Sequence, residues 1–61
     1  MDKYNYLINE TIKEYELRPQ FIILGWDIFR YIFGEKSTGA GTYNGIICIE
    51  DRKTKGRIEV M

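Results

Sequence analysis

The chain has no histidine and a single serine, so the usual hydroxyl and imidazole nucleophile pairs cannot be assembled from it. One cysteine, Cys48, has no partner for an internal disulfide, and with no histidine beside it there is no zinc site. For a chain of 61 residues this removes the staples on which small domains commonly rely. An excess of either charge is missing too. Nine basic residues balance nine acidic ones and the pI is near 6.2, leaving no electrostatic footprint for nucleic acid or an anionic membrane. The apolar run Phe21-Ile22-Ile23-Leu24, which no other exceeds, is far short of the roughly 20 residues that span a bilayer. The opening Met-Asp-Lys-Tyr-Asn lacks the apolar core of a signal peptide. The expected location is the cytosol, with Cys48 reduced, buried in a strand and inert. No cofactor and no metal are expected.

What the chain does hold is aromatic bulk: five tyrosines, three phenylalanines and one tryptophan. A domain this small buries only about 60% of the surface its unfolded chain exposes. Some of that bulk is therefore expected between chains, which makes a homodimer the expected state.

A single domain over residues 1–61 follows from the pattern. Tyr4, Leu7, Ile8, Ile12 and Tyr15 recur at helical spacing, predicting a helix over residues 2–17 with Asp2 suited to its cap and Pro19 as its stop. Gln20 to Leu24, bounded by Pro19 and Gly25, suits a strand at the centre of a sheet and covered on both faces. Asp27 is the N-cap candidate for a second helix carrying Ile28, Phe29, Ile32 and Phe33, which Gly34 ends. Glu35 to Thr42 has no large apolar anchor and is expected to be a mobile loop. Tyr43 to Glu50 and Arg57 to Val60 read as two strands of a C-terminal hairpin, joined by the charged connection Asp51 to Gly56. Alternation of Ile58 and Val60 with Arg57 and Glu59 marks the last strand as an edge. The expected fold class is α+β, in the order α-β-α-β-β: a small three-stranded sheet with a C-terminal hairpin, covered by two helices.

The residues that could carry function are few. Gly34-Glu35-Lys36-Ser37-Thr38 shares Gly-x-Lys-Ser with a phosphate loop, but it lacks the upstream glycine and follows a helix instead of preceding one. A plain flexible loop is the better reading. Glu10, Glu14 and Glu16 solvate the first helix, and no carboxylate pair is forced into a shared apolar pocket as acid-base chemistry requires. An enzyme is not expected. Arg52, Lys53, Lys55 and Arg57 form a local basic cluster, either a solubilising rim on the hairpin or a contact patch for an acidic protein surface. Trp26 and Tyr43, beside strand ends and glycine turns, are candidate interface anchors, although core packing is the better reading for Trp26.

Arg18-Pro19-Gln20-Phe21-Ile22-Ile23-Leu24-Gly25, a short helix, then Thr42-Tyr43-Asn44-Gly45-Ile46-Ile47-Cys48-Ile49 and Gly56-Arg57-Ile58-Glu59-Val60 together resemble a segment of tailed-phage major capsid proteins. In those proteins a helix precedes a Pro-x-apolar-Gly strand, and a later Gly-Ile-Pro-Val strand pairs with a closing strand; here Ile47 stands in place of that proline. The resemblance covers nearly the whole chain and implies a phage origin and an α+β unit, without the shell-forming parts of a capsid protein. By analogy of size and suspected origin, the expected function is a homodimeric inhibitor that binds a host protein of antiviral defence. A virion structural or assembly protein is the alternative, and a small-ligand sequestering protein with its pocket between two copies is a third.

Overall fold

A computed structural model of the chain describes residues 2–61. The fold is α+β, in the order α1 (Lys3–Glu14), β1 (Phe21–Gly25), α2 (Trp26–Phe33), β2 (Ala40–Tyr43), β3 (Ile46–Asp51) and β4 (Ile58–Val60). No helix among the described residues is long and apolar enough to cross a membrane.

Asp2 caps α1 as its position suggests: its carboxylate accepts from the amide of Tyr4 at 2.8 Å and of Asn5 at 3.4 Å. The helix ends at Glu14, three residues before the expected boundary. Ile12 is the last residue of α1 packed against the core, and Leu17 is 72% exposed, so nothing apolar holds another turn in place. The second helix begins two residues early, with Trp26 inside it and Gly25 at its cap. Asp27 is not the N-cap: its carboxylate accepts from the distant amide of Gly56 at 2.9 Å.

The sheet departs most from expectation. It has four strands, not three, in the order β2-β3-β1-β4, and the hairpin is β2–β3, not β3–β4. Asn44 and Gly45, at φ 51° and 80°, make the two-residue turn that splits the expected strand in two. Positive φ at both central residues is the type I′ geometry that suits a right-handed hairpin. The last three residues of the expected mobile loop, Ala40, Gly41 and Thr42, are thereby ordered in β2. β1 lies between β3 and β4, parallel to the first and antiparallel to the second. Pairing of the Gly45 strand with the closing strand, which the capsid resemblance implies, is thus absent. The expected positions of β1, inside the sheet, and of β4, at an edge, hold.

Both helices lie on one side. Ile8 of α1 and Ile28 and Phe29 of α2 bury with Ile22, Leu24 and Cys48 of the two central strands, and Tyr4, Ile12, Ile32, Phe33, Tyr43, Ile46, Ile58 and Val60 ring them. Each fully buried aliphatic side chain contributes about 1.5 to 3 kcal/mol, which sets the core's scale. Cys48 has no exposed surface, and burial pushes its thiol pKa up to about 11, as suits a packed, neutral sulfur.

The connection from β3 to β4 passes over the end of β1 and closes tightly on it. Gly25 donates its amide to Arg57 and Trp26 donates to Thr54, at 2.9 and 3.1 Å. A Cβ at Gly25 would sit 2.6 Å from the Thr54 carbonyl oxygen, so only glycine admits this approach.

Candidate functional site

Where α2 starts and the connection passes over it, three elements bring charged and aromatic side chains together. Trp26 opens the helix, half-buried. Lys55 of the connection reaches it with its ammonium 5.2 Å from the ring centre, and Arg30, one helical turn on, places its guanidinium at 5.4 Å. Both lie within cation–π range. The contact between Lys55 and Trp26 is fixed by the backbone beneath it, because the connection is tied to the helix start by the Trp26 and Gly56 amides. Asp27 serves as the clamp: the Gly56 amide, first, holds its carboxyl below the ordinary value, with Lys55 adding to the effect.

Arg30 also faces β3. Its Nε lies 3.1 Å from Glu50 Oε2, while Arg52 Nε lies 3.4 Å from Oε1 of the same carboxylate. The Glu50 side chain is 3% exposed, so one nearly buried carboxylate anchors two arginines that are themselves open to solvent. A charge so placed is strongly coupled to its partners, and removing them would strand it. Next to Arg30, Tyr31 is 59% exposed, with its ring edge against Tyr4 at 5.1 Å. Its hydroxyl is the first cause of the lowered pKa of Asp2 at the cap of α1. Trp26, Asp27, Arg30, Tyr31 and Glu35 line a shallow cleft of about 300 Å³.

Of the residues expected from sequence, Trp26, Lys55 and Arg52 therefore fall in one neighbourhood, with Lys53 exposed beside them. Arg57 stands apart: it is committed to Asp51 at 2.9 Å and to Glu59, both of which raise its pKa. Tyr43 does not join the cluster. Its ring packs at the core margin under α1, and its hydroxyl donates to Asn5 Oδ1 at 2.7 Å. Arg30 and Tyr31 were missed by sequence reading; their signal was their place on the outer side of α2, one turn beyond Trp26.

A rigid aromatic beside arginine and tyrosine can dock a complementary surface, and cations near it can meet carboxylates. Among the described residues no group of three or more His, Cys, Asp or Glu side chains is placed to hold a metal. Comparison with known proteins gave no matching family model, no matching curated protein and no matching solved structure.

Proposed function

We propose that this chain works by binding another protein, through the end of α2 and the connection that crosses it, and that it catalyses nothing itself. The observation that carries the reading is the Trp26, Arg30 and Tyr31 wall of the cleft, with Lys55 and Arg52 alongside. Tryptophan, tyrosine and arginine are the residue types that dominate binding energy at protein interfaces. The cations favour a partner whose contact surface is acidic. We further propose that the chain is homodimeric and acts in the cytosol. The narrower role, an inhibitor of a host antiviral-defence protein, rests on the chain's size and the capsid-like spacing of its apolar runs.

The test is capture of interacting proteins by the wild-type chain beside Trp26→Ala with Tyr31→Ala, both first shown to be folded by circular dichroism. A partner retained by the wild type and lost, about a thousandfold in affinity, with the double variant supports the reading, since hot-spot truncations cost about 2 kcal/mol or more each. A partner that binds both equally places the contact elsewhere.

A further inference from the structure

The sheet has a second face that none of the described residues covers. Backbone register places Met61, Phe21, Ile47 and Thr42 in one row across the four strands, and Glu59, Ile23, Ile49 and Ala40 in the next. Side chains alternate along a strand, so these rows point away from both helices. Phe21, Ile47, Ile49 and Met61 keep 37%, 47%, 39% and 38% of their surface exposed. They are four of the eight large hydrophobic residues exposed among the described residues, gathered on one side.

We infer that this face, centred on Phe21, Ile23, Ile47 and Ile49, is where a second copy of the chain docks, sheet against sheet. The inference rests on the homodimer part of the reading above and supplies its surface. Its first support is the strand pairing. β1 and β3 are parallel, and both are continuous apolar runs, Phe21-Ile22-Ile23-Leu24 and Ile46-Ile47-Cys48-Ile49. Although β1–β4 and β2–β3 are antiparallel, strands with so continuous an apolar composition suit a sheet covered on both faces, and here the helices cover only one. A second copy is the one cover present wherever the chain itself is present.

Charge points the same way. Glu59 is the only ionisable group in the two rows, and Arg57 already holds it, with Nε 3.2 Å from Oε1. Arg57 also bridges to Asp51 at the end of the face. The face thus asks for no counter-charge: what fits it is flat, apolar and neutral, which describes the same face on another copy. With nine positive and nine negative side chains, two copies meet without net repulsion. Area sets the strength. Four strands about 4.8 Å apart and about four residues at about 3.4 Å give roughly 260 Å² in plan. Two such faces, traced over their side chains, stay under the roughly 1,200 to 2,000 Å² of standard interfaces and belong with weak, exchanging ones. The dimer is therefore a concentration-dependent one, apart at high dilution.

The experiment is sedimentation velocity over a dilution series on the wild type, Ile47→Lys and Ile49→Lys, with far-ultraviolet circular dichroism to confirm folding. The expected result is a wild-type dimer that dissociates on dilution and folded lysine variants that associate roughly a hundredfold more weakly, because each would bury an unpaired ammonium. Methyl and amide NMR of the wild type over the same dilutions covers the case in which a variant fails to fold: the Ile23, Ile47 and Ile49 methyl signals should move while the β2-edge amides stay. A dimer that survives both folded lysine variants, or dilution shifts confined to Ala40 to Tyr43, overturns this surface and leaves the homodimer standing. A wild type that is monomeric at every concentration overturns both.

Discussion

On the inner face of the sheet Ile22, Leu24 and Cys48 have no exposed surface, whereas one step along the same strands Phe21, Ile47 and Ile49 keep between 37% and 47% of theirs. The residue types are nearly the same; what differs is which face the helices land on. Composition along a strand thus says that both faces are fit for burial and not which of them the chain itself buries. The inner face carries the stability of the single chain, and the outer face is the one we propose for association. Substitutions that treat the two faces alike, or the two ends of the sheet alike, are the means to break that division.

The largest expected effect is on the inner side. Phe29 is fully buried with its ring 4.5 Å from that of Phe33, and Phe29→Ala should cost about 3 to 5 kcal/mol, most of the stability of so small a domain. Urea unfolding followed by circular dichroism measures it; a loss under about 1 kcal/mol would mean that the inner face is not the load carrier. Next comes Gly25→Ala, where the added carbon would meet the backbone of Thr54, Gly56 and Arg57 at 2.6 to 2.9 Å. The connection must shift, at a cost of about 1 to 3 kcal/mol. Because Lys55 rides on that connection, quenching of Trp26 fluorescence should change with it.

Titration separates the caps and turns from the core by pH. Asp2, Asp27 and Asp51 all sit below the ordinary 3.8 in the folded chain, so their contribution is present above that value and is lost as pH falls through their folded values. Cys48 runs the other way: with its pKa raised from 9.0 to about 11, its contribution is whole below the first value and is lost as pH rises toward the second. That arm is worth roughly 3 kcal/mol at most, and Cys48→Ala should reduce it in a series of urea midpoints. An unchanged alkaline arm would show that Cys48 is not buried as described. The smallest effect is at the rim: Lys53→Glu should change stability by no more than about 0.5 kcal/mol, Lys55→Glu should cost more because it trades the cation over Trp26 for a carboxylate near Asp27, and the pair should weaken a protein partner. Arg52 is left out of that pair because it shares Glu50 with Arg30.

Much of this architecture could be read from local signals. The Asp2 cap, the Tyr4, Ile8 and Ile12 stripe, the Ile28, Phe29, Ile32 and Phe33 stripe and the edge character of β4 each depend on residues a few positions apart. What escaped depends on distance or on a single dipeptide. Asn44-Gly45 lies inside a run of β-forming residues and was absorbed into it, although that dipeptide is the strongest short hairpin signal. Once the turn is placed there, β2 follows and the loop over residues 35–42 shortens. Insertion of β1 between β3 and β4 is a choice among sheet orders that no local pattern records. Asp27 looked like a cap because its amide partner, Gly56, lies 29 residues away. At the candidate site Arg52, Lys53 and Lys55 were legible as exposed basic positions, whereas Trp26 read more readily as core and is in fact half-buried. Arg30 and Tyr31 gain meaning only when the cleft they line is seen.

The division between a load-carrying inner face and an associating outer face is tested most directly by melting temperature against protein concentration, for the wild type and for Ile47→Thr with Ile49→Thr. Threonine keeps strand propensity while removing apolar surface. The account expects the wild-type melting temperature to rise with concentration and that of the variant to stay flat, the two converging to within a few degrees at high dilution. A wild type whose melting temperature ignores concentration, or a variant already unfolded at high dilution, would contradict it.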